Sequence, residues 1–229
     1  MTAPSRSAMN RESRDIQDDV LRMADLLDLA IARSLEALAD QDARLAEEIV
    51  AGDAEINALR FRIEEACLAL IATQQPAAGD LRAVIATMNI VGDMERMADH
   101  AAGVARLVLT MGGQPLLKPV IDIPRMVELC RTMLRESLDT FVSRDPERAR
   151  RAAAQDDAID ALYQRVFRQL LSFMVDNPTA TSRALRLLFA AHNYERIGDR
   201  ATNIAERVVF MTSGEMFELN PEPRETSHL

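Results

Sequence analysis

The sequence Glu95-Arg96-Met97-Ala98-Asp99 returns one hundred residues later as Glu195-Arg196-Ile197-Gly198-Asp199. Residues four apart share one face of a helix, so each copy sets two carboxylates side by side. Met88, Val91 and Ala102 share a stripe with Glu95 and Asp99, and Leu188, Ala191 and Thr202 share one with Glu195 and Asp199. The stripe position places these acids in a helix seam, not on a solvent face. A further acid precedes each pair. Asp53 lies in register with Ile49 and Ile56. Asp156 lies in register with Ala152, Ile159 and Tyr163, with Asp160 four residues on. Converging carboxylates raise one another's pKa, and a bound cation relieves the repulsion. Mg, Mn, Fe and Ca take oxygen ligands of this kind. The candidate metal ligands are therefore Glu95, Asp99, Glu195, Asp199, Asp53 and Asp156.

The competing reading is arginine pairing, for which Arg96, Arg106, Arg196 and Arg200 are available. Ion pairs of that kind at a surface contribute little stability. One Glu-x-x-x-Asp is common on helices; its recurrence with a matching acid on a neighbouring helix favours a cation site. A ferritin-like di-iron bundle would carry Glu-x-x-His, but positions 98 and 198 are Ala and Gly. His100 and His192 read as polar-face or hydrogen-bonded side chains. The sequence shows no nucleophile set and no phosphate-cradling glycine loop, and the chain does not read as an enzyme.

The elements that must position these acids follow from apolar periodicity. Ile16, Val20, Met23, Leu27, Ile31, Leu35 and Leu38 predict a first helix ending near Asp40. Leu45 to Leu70 predict a second, from Asp42 to Thr73, which is roughly 45 Å long. Gln74 to Gly79 breaks the chain, and Asp80 is placed to cap a third helix that ends at Gly112-Gly113. The stretch 114–124 holds Pro115, Pro119 and Pro124 and reads as a linker. A fourth helix carries Val127 to Phe141. A fifth starts at Pro146 and runs to Asp176, and a sixth runs from Thr179 to Ser213. Asp53 and Asp99 lie at nearly equal distances from the intervening turn, as do Asp156 and Asp199. Each half thus repeats a helix, a long helix, a proline-containing break and a long helix. The expected fold is all-α, two tandem antiparallel three-helix bundles from an internal duplication. The expected organisation is a flexible tail 1–14, a first repeat 15–113, a linker 114–124, a second repeat 125–214 and a tail 215–229.

Composition agrees with helices: there is no Trp, only two Tyr, and the apolar fraction is 48%. A net charge of -9, with Lys118 the only lysine, argues against a nucleic-acid partner. No apolar segment approaches a membrane span, and the N-terminus has no apolar signal core, so a soluble cytoplasmic protein is expected. Cys67 and Cys130 fall on apolar stripes, as buried free thiols of a reducing compartment would.

The segment Gln75-Pro76-Ala77-Ala78-Gly79-Asp80-Leu81-Arg82, the helix Asp93-Met94-Glu95-Arg96-Met97-Ala98-Asp99-His100-Ala101 and its second copy Tyr194 to Glu206 resemble the PhoU family, regulators of bacterial phosphate signalling. The resemblance spans roughly Ile16 to Thr212. It implies tandem three-helix bundles, often dimeric, and a multinuclear iron or zinc cluster on the (Glu/Asp)-x-x-x-Asp motif of each repeat, here Glu95 and Asp99, and Glu195 and Asp199. It also implies negative regulation through two partners, the ATPase subunit of the phosphate ABC transporter and the sensor histidine kinase of the phosphate regulon, with membrane contact only through them. The sequence departs from the family pattern at Met97-Ala98, where Ile-Gly is usual, and at Arg200, where His is common. The residues alone leave open a metal-dependent enzyme or metal store, and a helical scaffold without metal.

Overall fold

Helices fill almost all of the residues that the computed structural model describes, which are 6–112, 117, 122–216, 218 and 219. They are α1 (Arg6–Asp40), α2 (Ala43–Gln74), α3 (Ala78–Met111), α4 (Asp122–Ser143), α5 (Pro146–Ala153), α6 (Asp156–Asp176) and α7 (Thr181–Ser213). A 3-10 turn, Pro178–Ala180, leads into α7. No strand occurs among the described residues.

Helix ends follow local chemistry. The Asp42 carboxylate accepts from the backbone N–H of Leu45 to open α2. Asp145 accepts from Glu147 and Arg148 to open α5, with Pro146 in the first helical position. Gly214 ends α7 at φ +79°, a left-handed conformation in which a Cβ is strained.

Four boundaries differ from the sequence expectation. α1 starts at Arg6, so residues 6–14 are helix and not a flexible tail. Met9 packs against the core, and Gln74 donates to the Glu12 carboxylate at 3.1 Å, which holds the extra turns in place. Asp80 lies in the first turn of α3 and caps nothing; Ala77 is the cap residue, and the Asp80 charge meets the positive end of the helix dipole. α4 begins at Asp122, with Pro124 in the first turn, where its missing N–H costs nothing. The expected fifth helix is two helices. The chain turns at Ala154-Gln155, where Gln155 donates its side-chain amide to Glu136 on α4. No glycine or proline marks that turn; a tertiary contact makes it. Residues 1–5, most of the linker and 220–229 lie outside the described residues, though Leu219 packs back on the core with its N–H on Glu206 at 2.8 Å.

α1 to α3 form the first repeat and α4 to α7 the second, with α5 and α6 together standing where α2 stands. The repeats are not separate beads. The most extensive helix interface joins α3 to α7 across them. These helices are antiparallel: His100 meets Asn193 at 3.0 Å, while Asp93 meets Asn203 at 3.4 Å and Arg200 at 3.5 Å. One buried apolar cluster runs through both repeats. α1 and α4 add a fork in which Arg131 donates both Nε and Nη2 to Asp28 at 2.9 Å, with Arg135 at 3.3 Å. Tyr194 of α7 reaches Ser34 of α1 at 3.0 Å, fully buried.

Candidate carboxylate centres

The break before α6 sets up the second centre. Because α6 starts at Asp156, this acid sits in a first helical turn, where the dipole favours negative charge. It is only 5% exposed. Asp160, one turn on, and Asp199 on α7 join it, with one carboxylate oxygen from each lying within 4.8 Å of the others. Glu195, one turn before Asp199, completes a four-carboxylate group from two antiparallel helices.

Gly198 makes this approach sterically possible. A Cβ at that position would lie 2.8 Å from Ile159 Cδ1 and 3.1 Å from Asp156 Oδ1. The glycine therefore lets α6 settle onto α7 at the level of the acids.

Glu195 feels both the acids and an arginine in this group. Arg196 donates to Asp199 at 2.9 Å and lies 3.5 Å from Glu195. Even so, burial, then the charge of Asp199, push Glu195 up to about 7, against the pull of Arg196; Asp160 and Asp156 add to the rise. His192 Nδ1 lies 3.3 Å from Glu195 Oε2, and the imidazole stands 6.0 Å from the Tyr163 ring. Burial, then Arg196 and the neighbouring His100, push His192 below the usual imidazole value. Neutral imidazole beside four carboxylates is a donor set for a cation.

The first centre is built from α2 and α3. The structure brings Asp53, Glu95 and Asp99 within electrostatic reach of one another. Burial, then Asp99, raise Asp53, with Arg106 opposing. Burial, then Asp99, raise Glu95, with Arg60 opposing and Asp53 adding. The three do not converge as their counterparts do: among the described residues only Asp156, Asp160 and Asp199 form a cation-sized trio. Asp99 is exposed, which corrects its expected place inside the seam. Met94, Ala98 and Ala101 take the buried positions, and Asp99 lies one step round the helix, at the rim, with Glu95 half-buried.

Three substitutions between repeats account for the difference. With the second-repeat long helix offset by 103 residues, Asp160 corresponds to Asn57, and Tyr163 to Arg60. Asn57 replaces a charge, and its Oδ1 is buried without a hydrogen-bond partner among the described residues. Arg60 puts a fixed cation 3.6 Å from Glu95 while donating to Glu64 at 2.9 Å. At position 98 an alanine methyl stands where the second repeat has Gly198. Arginine pairing thus operates at Asp199 through Arg196, one of the arginines named from the sequence, and at Glu95 through Arg60, which was not; Arg200 is directed to Asp93 on α3.

The sequence set Asp160 one turn after Asp156 and Tyr163 on the same stripe without counting either in a centre, and it did not mark His192 or Asn57 as members. The 103-residue offset and the i+4 spacing from Asp156 were the available signals for Asp160 and Asn57. His100 is in the α3–α7 seam, hydrogen-bonded to Asn193. Both cysteines are free and buried, as expected. Cys130 donates to the Tyr194 carbonyl at 3.1 Å, and burial, then the charge of Glu64, push the Cys67 thiol up to about 11.

With this geometry in hand, known proteins give a consistent match. The family model described as "PhoU domain" matches residues 20–108 and again 123–208. A phosphate-specific transport system accessory protein PhoU homolog of Zymomonas mobilis is 40% identical over 195 residues, 85% of this chain and 82% of that protein. Its counterpart in Aquifex aeolicus is 37% identical over 206 residues, 90% and 93% of the two chains. The crystal structure of PhoU from Pseudomonas aeruginosa superposes with a TM-score of 0.84 at 33% identity, covering 90% of this chain and 99% of that one. The phosphate transport system regulatory protein PhoU from Streptococcus pneumoniae does so with a TM-score of 0.83 at 30% identity, covering 91% and 99%.

Proposed function

The chain belongs to the PhoU family, and from that premise we propose that it is a regulatory accessory of the phosphate-specific transport system. It is an accessory protein and not an enzyme. In this reading it is a cytoplasmic adaptor, acting as a homodimer, between the ATPase subunit of the phosphate ABC transporter and the sensor histidine kinase of the phosphate regulon. It lowers signalling and uptake when phosphate is plentiful. The observation that carries this reading is the extent of the match: both repeats are covered, and the curated relatives are covered over 82% and 93% of their length. No described helix is long and apolar enough to cross a membrane, so in this reading contact with the membrane is through partners.

The carboxylate centres supply a metal-dependent element of the adaptor. Asp156, Asp160, Glu195 and Asp199, with His192 at the edge, would hold the cation. The oxygen-rich set suits iron, manganese, magnesium or calcium better than zinc, whose structural sites are dominated by nitrogen and sulfur. A bound cation, single or clustered, would supply the positive charge that lets Glu195 give up its proton beside Asp199. In the first centre Arg60 already supplies part of that charge. Its acids, Asp53, Glu95 and Asp99, form the weaker of the two sites.

Two measurements test this. Pull-downs from cells in high and low phosphate should recover the transporter ATPase subunit and the sensor kinase; recovery of neither in both conditions would overturn the adaptor role. Elemental analysis of purified protein should find metal that is lost in an Asp156→Asn, Asp199→Asn double variant. Metal content unchanged by that pair would place the ion elsewhere.

A further inference from the structure

We propose that the outer face of the α6–α7 hairpin, between the second carboxylate centre and the turn at Asn177, docks an amphipathic helix that carries acidic residues. The inference rests on the adaptor reading for the existence of a protein partner and adds where and how one binds.

The face is set by register. Tyr163 of α6 and His192 of α7 stand ring to ring at 6.0 Å, one helical turn from the acids. Towards the turn, Phe167 and Leu171 follow Tyr163 at four-residue steps, while Phe189 and Leu185 precede His192 at steps of three and four. Tyr163 and His192 meet across the two antiparallel helices, and the other side chains follow them by helical register. They are not core: Leu171 is 49% exposed, Phe189 56% and Val175, at the end of the row, 74%. Aromatic and branched apolar side chains in a contiguous exposed row mark an interaction surface more often than scattered ones do. The row extends for about 18 Å, three turns of a docked helix.

Charge selects the occupant. Residues 163–175 and 181–193 contain four arginines and no acid, in a chain whose net charge is -9. Arg165 is paired with Asp122 at 3.1 Å. Arg168, Arg183 and Arg186 make no ion pair among the described residues. The first repeat lacks this character. Its matching segments, 60–72 and 81–93, balance Arg60, Arg62 and Arg82 against Glu64, Glu65 and Asp93. Glu65 stands where the second repeat has Arg168, and alanines stand at 83 and 86 where it has Arg183 and Arg186. The duplication has therefore diverged in one repeat towards an apolar row flanked by Arg168 on α6 and Arg186 on α7, with Arg165 turned to Asp122 and Arg183 on another side of α7. Such a face fits an apolar helix stripe flanked by Glu or Asp.

The test uses the full chain and a labelled peptide of about eighteen residues, with leucines three and four apart and glutamates on both sides. Fluorescence anisotropy should show saturable binding. Leu171→Ser with Phe189→Ser should weaken it by at least about tenfold, and a lysine-for-glutamate peptide should bind the native chain correspondingly more weakly. Arg168→Glu with Arg186→Glu should reverse that preference. Arg168, Leu171 and Phe189 are exposed and Arg186 is half-buried, and circular dichroism checks that the variants fold. Equal affinity for both peptides, or variants that bind as the native chain does, overturns the proposal. So does co-sedimentation with phosphatidylglycerol vesicles that these variants abolish while the peptide fails to bind, which assigns the face to lipid. Loss of self-association in the variants without peptide binding assigns it to a second copy and overturns the proposal too. If pull-down recovers the ATPase subunit and the kinase equally with native and variant chains, the adaptor reading survives and this face does not.

Discussion

Glu195 gives the second centre a defined pH response. Its folded pKa, about 7, is above its ordinary value of 4.5. Below 4.5 the group is protonated in both folded and unfolded chains and costs nothing. Above 7 it is ionised in both, and the fold bears the full cost of a carboxylate held beside others. Metal-free protein should therefore lose stability as pH rises from about 4.5 to 7. Its melting temperature should fall by a few degrees over that window, and Glu195→Gln should flatten the profile. Metal binding displaces the proton, so cation affinity should rise across the same window. A melting temperature equally pH-dependent in Glu195→Gln would remove Glu195 as the cause. Gly198→Ala drives a methyl into Ile159 and Asp156 and should cost about 1–3 kcal/mol in denaturant unfolding. It should also lower metal content, because α6 must move away. Asp160 and Asn57 differ by one charged group yet decide which repeat gathers a trio of acids. The sequence contained that difference, but its meaning required the alignment of α6 with α2 across an unmarked break.

Helices place these residues, and their packing separates the repeats into unequal centres. Replacing Asn57 by Asp, Arg60 by Tyr and Ala98 by Gly makes the first centre resemble the second. This triple variant should raise metal content per chain by about half to twofold at saturating cation, read by elemental analysis. Unchanged content would show that more than these three positions distinguishes the centres. Between elements of different repeats, Tyr194 and Ser34 make a buried hydrogen bond, with Ser34 donating to the Ile31 carbonyl and thus accepting from the phenol. Tyr194→Phe should destabilise by about 1 kcal/mol, measured by urea unfolding, with metal content unchanged. The helices and the duplication were legible in the apolar steps and the proline breaks, because burial of one stripe leaves a period of 3.6 residues. The split of α5 from α6 was not, since a glutamine bonding to Glu136 makes it, without glycine or proline.

Across the whole molecule, the antiparallel α3–α7 interface and the continuous core make the two repeats one cooperative unit. Calorimetry should show one transition, and the first repeat expressed alone should be unstable, with the α3 face that meets α7 left bare; two resolved transitions would contradict this. The Asp28 fork strengthens the same join. Burial raises the Asp28 pKa, but the bonds and charges of Arg131 and Arg135 outweigh it and hold the carboxyl below its ordinary range. A depressed carboxylate stabilises above its unfolded pKa of 3.8, and that contribution is lost as pH falls through the lower folded value. Arg131→Ala should cost about 1.5–3 kcal/mol near neutral pH, by denaturant unfolding, and less under acid.

From residue order alone came the helical class, the duplication, the family resemblance and the four acids at Asp53, Asp99, Asp156 and Asp199 matched by height along antiparallel partners. Each depends on local spacing or on distance counted along a helix, and both are properties of one chain segment at a time. The folded molecule decided how closely those acids approach. A methyl at Ala98, its absence at Gly198, a cation at Arg60 and a turn before Asp156 set the separation and charge in each centre. These effects act between segments that are far apart in sequence, so they emerge only when α2 lies on α3 and α6 on α7.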